Sequence, residues 1–188
     1  MYKIVYSEIK ASNLDDALLF LPKEVKKHID NIRNYHRKKE SICAWSLLNG
    51  LVKDTFCKEL VEYPFRYNKN GKPEFDNFFV SLSHSKGIVC VAIADYEIGI
   101  DIEKIRNLNF QEKLKEKLGV NPQISNENFI ALFTRKEAYV KAKGETIGRL
   151  KNLDKNIEKV ANVIIQIEDD MYSLAYYPNA SEVEIIKK

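Results

Sequence analysis

Two stretches carry side chains able to do chemistry: Ile98-Gly99-Ile100-Asp101-Ile102-Glu103 and Phe133-Thr134-Arg135-Lys136-Glu137-Ala138-Tyr139-Val140-Lys141. In the first, isoleucine alternates with glycine and acid, the period of a half-buried strand. Asp101 and Glu103 then project from one face with Cα atoms about 7 Å apart. Carboxylates so placed repel each other unless a cation or a basic group stands between them. In the second stretch, helical spacing sets Glu137 and Lys141 one turn apart. With Thr134 they share the margin of an apolar sector formed by Phe129, Leu132, Phe133, Tyr139 and Val140, and so can look into a cleft beside the core. Lys136 falls inside that sector, where either its stem snorkels to water or an anionic group meets its ammonium. Three oxygen donors with lysines close by suit Mg²⁺ on a phosphate ester, because this ion prefers hard oxygen ligands and shares its shell with phosphates. The same residues also describe an amphipathic strand with a wet acidic face and a helix with surface Lys–Glu pairs. Spacing alone does not bring the two stretches together.

Two further pieces have chemical potential. Ser81-Leu82-Ser83-His84-Ser85 ends a strand and leads into Lys86-Gly87; a histidine among hydroxyls beside a turn either faces solvent or binds a phosphate as imidazolium. Gly71-Lys72-Pro73 belongs to a turn-rich run from Asn68. The basic cluster His36-Arg37-Lys38-Lys39 reads as a solvated helix end. There is no Gly-x-Ser-x-Gly nucleophile elbow, no Gly-x4-Gly-Lys-Ser/Thr phosphate loop and no Gly-x-Gly-x-x-Gly.

The elements that must position these residues follow from periodicity. Residues 2–6 read as a strand, and 14–20 and 23–34 as amphipathic helices divided by Pro22. A longer helix over about 38–58 carries Ile42, Trp45, Leu48, Leu51, Val52 and Phe56 at helical spacing. Residues 78–82, 88–94 and 98–102 are short apolar runs separated by turn residues, the pattern of an antiparallel meander. A second cycle begins with a helix over 110–118 that ends at Gly119. A helix capped by Ser125 then runs to about Lys143 with Gly144 beyond it, and strands are expected over 163–167, 173–177 and 182–186. This recurrence of order, without residue-level repetition, predicts two α+β halves, 1–96 and 97–188.

Composition sets outer bounds. The 188 residues are enough to bury a substantial core, and 45% hydrophobic with 30% charged residues fits an ordinary globular protein. A net charge of +3 is too small for the basic stripe of a dedicated nucleic-acid binder. Cys43, Cys57 and Cys90 form no Cys-x-x-Cys pair and predict reduced thiols. The first residues lack a signal-peptide apolar region and no apolar run is long enough to span a bilayer, so a cytoplasmic protein is expected.

Taken in order, Gly71-Lys72-Pro73, Ser81-Leu82-Ser83-His84-Ser85, Gly99-Ile100-Asp101-Ile102-Glu103 and Phe133-x-x-Lys136-Glu137-Ala138-x-x-Lys141 resemble the motifs of the 4′-phosphopantetheinyl transferases of the surfactin-synthetase-activating type. The resemblance covers roughly residues 65–145. It implies an α+β pseudo-dimer of two similar halves with the active site between them. It implies Mg²⁺-dependent transfer of phosphopantetheine from coenzyme A to a serine of an apo acyl or peptidyl carrier protein, releasing 3′,5′-adenosine bisphosphate. Carried over by position, Asp101, Glu103 and Glu137 hold the Mg²⁺. Lys136 and Lys141 grip the pyrophosphate, with Lys141 assisting the leaving group. Ser83 and His84 belong to the cofactor site, with His84 on the 3′-phosphate, and Gly71, Lys72 and Pro73 line the adenine end. Glu137 is also the candidate base, a role ranked below its metal role because one carboxylate serving both ends is chemically awkward. No nucleic-acid or membrane partner is implied, and two halves in one chain predict a monomer. Two positions depart from the family pattern: Trp45 stands where an arginine is common, and Phe133 replaces the more frequent tryptophan. The first raises one rival reading, a catalytically silent coenzyme A-binding relative, and the mild basicity raises a second, a nucleic-acid-binding module.

Overall fold

The computed structural model describes residues 1–9, 14–106, 111–145 and 154–188. The expected helix start at Phe110 lies outside them. In chain order the elements are β1 (Tyr2–Glu8), α1 (Leu14–Leu18), α2 (Lys23–Asp30), α3 (Tyr35–Phe56), β2 (Phe65–Tyr67), β3 (Pro73–Phe75), β4 (Phe79–Ser85), β5 (Ile88–Ala94), β6 (Gly99–Lys104), α4 (Gln111–Leu118), α5 (Asn126–Lys143), β7 (Ala161–Ile167), β8 (Asp170–Tyr177) and β9 (Glu184–Lys187). The architecture is mixed α+β, and no described helix is long and apolar enough to cross a membrane.

Helix ends follow local chemistry. The Asn34 side chain accepts the Arg37 N–H and starts α3, so Asn34 caps this helix rather than closing α2, and His36 to Lys39 lie at the N-terminal end of α3. Ser125 caps α5 through the Asn128 N–H, and Gly144, in the left-handed region, closes it, as its sequence predicts.

The meander expected over 78–102 breaks after its first hairpin. β4 and β5 pair antiparallel across the Lys86-Gly87 turn, where both residues have positive φ. β6 instead leaves for a second sheet. The first sheet has the order β4-β5-β1-β9 and the second β6-β8-β7. β9 returns from the end of the chain to run parallel to β1. Every residue of β5 is buried, because both its faces are covered. Val89, Val91 and Ile93 pack with α3 residues Trp45, Leu48 and Val52. Ile88, Cys90, Ala92 and Ala94 pack with Ile98 just before β6, with Ile100 and Ile102 of β6 and with Leu174 of β8. The layers are therefore α3, first sheet, second sheet, α5, and the isoleucines of β6 lie in the core shared by the sheets.

A row of serines completes the junction between sheets. β6 is the edge of its sheet, and its outward N–H groups need acceptors. The Oγ atoms of Ser81, Ser83 and Ser85, on one face of β4, accept from the backbone N–H of Ile100, Ile102 and Lys104. Alternation in Ser-Leu-Ser-His-Ser is thus the register of a hydroxyl ladder. The stretch is strand to its end, so His84 is a strand residue rather than a turn residue.

The other face of β6 meets α5 at very close range. A Cβ built on Gly99 would stand 2.0 Å from the Ala138 carbonyl oxygen and 2.4 Å from the Ala142 nitrogen. Only glycine opposite alanines permits this approach, which sets the depth at which α5 lies over Asp101. Gly99→Ala must push a helix backbone away, and the expected loss is about 3 kcal/mol of stability in urea unfolding, the upper end for overpacking. A variant as stable as wild type would contradict the close packing of α5 on β6.

Candidate active site

Asp101 and Glu103 point from β6 towards α5, and Glu137 and Lys141 descend from α5 to meet them. Asp101 is buried, and its Oδ1 accepts from the Ser83 hydroxyl at 2.7 Å and from Lys141 Nζ at 2.7 Å. Ser83 Oγ also accepts from Lys141 Nζ at 3.0 Å. Ser83 thus joins the serine ladder to the acidic strand and to α5. Glu103 lies 3.6 Å from Arg106 Nη2.

Glu137 is only 7% exposed, and its buried Oε1 has no hydrogen-bond partner among the described residues. Its carboxyl is pushed up to about 7, first by burial and then by the charges of Asp101 and Glu103, with Lys141 pulling the other way. Glu103 is raised as well, by burial and then by Asp101, against a hydrogen bond from Ser85 and the charges of Arg106 and Lys86. For Glu103 and Glu137, burial and repulsion between carboxylates therefore outweigh the nearby charges of Arg106, Lys86 and Lys141. Among the described residues no three His, Cys, Asp or Glu side chains stand preassembled around a metal position. The donor set nevertheless fits a hard divalent cation: it is all carboxylate oxygen, it is destabilised by mutual repulsion, and one buried oxygen is unpaired. Lys141 serves as counter-ion to Asp101.

Beside this acidic end lies a cleft of about 300 Å³. Gly71, Lys72, Pro73, His84 and Lys141 all line it, together with His28, Trp45, Tyr67 and Asn70. Trp45 forms part of the wall while its ring meets Phe65 edge-on at 5.7 Å, so the residue at the expected arginine position is a packed aromatic.

Lys72 has work beyond the cleft. Its Nζ donates to the Ala142 carbonyl, and the Asn70 amide donates to the Gly144 carbonyl at 2.7 Å. A cation on the last carbonyls of α5 also complements the helix dipole. The Gly71-Lys72-Pro73 loop therefore docks on the C-terminal end of the helix that carries Glu137 and Lys141. Burial holds the Lys72 ammonium below its usual range.

Two polar side chains of α5 are enclosed. Lys136 is 1% exposed and does not snorkel, nor does it line the cleft. Thr134 turns away from the cleft towards β8, where its hydroxyl lies 2.7 Å from Ser173 Oγ. One residue escaped sequence reading. Glu40 of α3 places Oε2 3.0 Å from His84 Nδ1. A lone acid in a basic helical run gives no local signal of this contact.

Residues 97–177 match the pattern of the 4′-phosphopantetheinyl transferase superfamily. The chain is similar to 4′-phosphopantetheinyl transferase gsp of Aneurinibacillus migulanus, with 32% identity over 154 residues, 66% of this chain and 63% of that protein. It is also similar to 4′-phosphopantetheinyl transferase psf-1 of Bacillus pumilus, with 26% identity over 112 residues, 54% of this chain and 48% of that protein. The matches thus span between about half and just under two thirds of these relatives' lengths.

Proposed function

We propose, for a chain whose residues 97–177 match the 4′-phosphopantetheinyl transferase superfamily, that the cleft binds coenzyme A and that the protein is a holo-carrier-protein synthase. It transfers 4′-phosphopantetheine to a serine of an apo acyl or peptidyl carrier protein and releases 3′,5′-adenosine bisphosphate. The observation that carries this reading is the convergence of Asp101, Glu103, Glu137 and Lys141 at one end of a cleft that His84, Lys72, Gly71 and Pro73 also line.

The halves 1–96 and 97–188 support a pseudo-dimer with the active site between them. β1, α3, β4 and β5 correspond in order to β6, α5, β7 and β8, and β5 and β8 are each the central strand of a β4-β5-β1 or β7-β8-β6 trio. β9 then extends the sheet of the first half.

In the reaction the carrier serine oxygen bonds to the phosphorus bearing the pantetheine, and the bond from that phosphorus to the bisphosphate oxygen breaks. The serine proton passes to Glu137 as the candidate base, a role ranked below its place in the metal-holding set. Lys141, held beside Asp101, neutralises charge on the leaving bisphosphate. Lys136, 1% exposed and absent from the cleft lining, is given no part in this pose, and Ser83 keeps Asp101 and Lys141 aligned. Asp101, Glu103 and Glu137 would hold a Mg²⁺ that neutralises pyrophosphate charge.

The alternative of a silent coenzyme A-binding protein draws on Trp45, which leaves that position of the α3 wall without a cation. Chromatography separates the two. A transferase releases 3′,5′-adenosine bisphosphate from coenzyme A only when apo carrier is present, whereas a silent binder releases none.

His84 distinguishes coenzyme A from its 3′-dephospho form in this pose. A charge-assisted hydrogen bond to phosphate is worth about 1.5–3 kcal/mol, so His84→Ala should lower kcat/KM for coenzyme A by roughly 10- to 150-fold. Dephospho-coenzyme A should be affected much less. Equal losses for the two donors would remove His84 from the 3′-phosphate.

A further inference from the structure

His84 alternates with Val80 and Leu82 on the face of β4 that packs towards α3, opposite the serine ladder. The α3 residues lining the cleft, Ser41, Ala44 and Trp45, bring no charge. Glu40, next to Ser41, does: its side chain is 19% exposed and its Oε2 lies 3.0 Å from His84 Nδ1. Glu40 thus faces the Nδ1 side of the ring, and Nε2, which has no hydrogen bond to a described residue, is the ring atom left for a ligand.

We propose that Glu40 is a positioning residue for donor recognition, holding the His84 ring so that Nε2 meets the terminal phosphate of the donor. This rests on the reading that the 3′-phosphate of coenzyme A meets His84. The physical reason lies in the proton inventory of the ring. A neutral imidazole with its single N–H on the Nδ1 side facing Glu40 offers phosphate only a lone pair at Nε2. Protonation turns Nε2 into a donor, and a carboxylate in contact with Nδ1 stabilises the imidazolium that results. Burial opposes that charge, as do Arg37 of α3 and Lys141 of α5, while Glu40 and, more weakly, Asp101 of β6 favour it. A carboxylate with little solvent around it acts strongly at this range. Glu40 thereby contributes to anion recognition although it is itself an anion.

Glu40→Gln keeps the shape and an acceptor for Nδ1–H but removes the charge. Its expected result is a fall of about 10-fold in kcat/KM for coenzyme A, with dephospho-coenzyme A within about twofold of wild type. The coenzyme A loss should shrink as pH is lowered, because the imidazolium then forms without help. Glu40→Ala should lose at least as much, since it also frees the ring to rotate. Better use of coenzyme A by Glu40→Gln would show that the carboxylate repels the phosphate, and overturns the proposal. Equal losses for both donors would make Glu40 merely structural, and no change would make it irrelevant; both also overturn it. If His84→Ala itself costs the two donors equally, the pose fails and the role of Glu40 fails with it. If His84→Ala discriminates between donors and Glu40→Gln does not, only the role of Glu40 is lost.

Discussion

Asp101→Ala is expected to lower the rate of transfer by about three orders of magnitude, equivalent to roughly 4 kcal/mol of transition-state stabilisation. Asp101 is the residue on which the site converges: it binds Ser83 and Lys141 directly and raises both Glu103 and Glu137 through its charge. Its removal deletes one candidate ligand for the cation and frees Lys141 from the place where it is held. The fold should survive, because the β6 isoleucines and the serine ladder to its backbone are untouched. Steady-state transfer together with circular dichroism checks this. A folded Asp101→Ala protein with near-normal turnover at ordinary Mg²⁺ would contradict the assignment.

Glu137→Gln should move activity and stability in opposite directions. Loss of the proton acceptor is expected to slow transfer by about 10²- to 10⁴-fold. In the folded protein the Glu137 carboxyl lies at about 7, against an ordinary value of 4.5. Because the folded value is raised, the fold favours the protonated form. The associated stability is fully present below about 4.5 and is lost as pH rises through about 7. In urea unfolding without Mg²⁺, wild type and Glu137→Gln should nearly coincide at acidic pH. At mildly alkaline pH the variant should be more stable, by on the order of 3 kcal/mol. Mg²⁺ should narrow the alkaline gap by stabilising wild type, a readout independent of catalysis. A gap that does not depend on pH would show that Glu137 carries no buried charge.

The chemistry was more legible than its geometry. Alternation in Ile98 to Glu103 put both acids on one face, and helical spacing put Glu137 and Lys141 on one margin. Neither pattern contains the distance between strand and helix. That distance is set by Gly99 against Ala138 and Ala142, small residues that carry no hydrophobic signal and that helical periodicity passes over. The same close packing buries polar residues of α5: Thr134 is turned to Ser173, and Lys136 is enclosed rather than snorkelling. The isoleucines were legible as a buried row, but the partner of their strand was not. Sequence adjacency suggested a meander, whereas β6 pairs with β8, more than sixty residues away, and meets β4 only through serine hydroxyls. Hydroxyl ladders leave a period of two that reads equally well as a polar strand face. Glu40 was illegible for a related reason, since contact between a helix and a strand over 40 residues apart leaves no trace in local pattern.

Intact mass of an apo carrier protein, after incubation with this protein, coenzyme A and Mg²⁺, is the most direct measurement of the central claim. The expected result is a mass increase equal to one phosphopantetheine group, confined to the acceptor serine and absent when that serine is alanine. An unmodified carrier, in a sample where the protein is folded and binds coenzyme A, would contradict it.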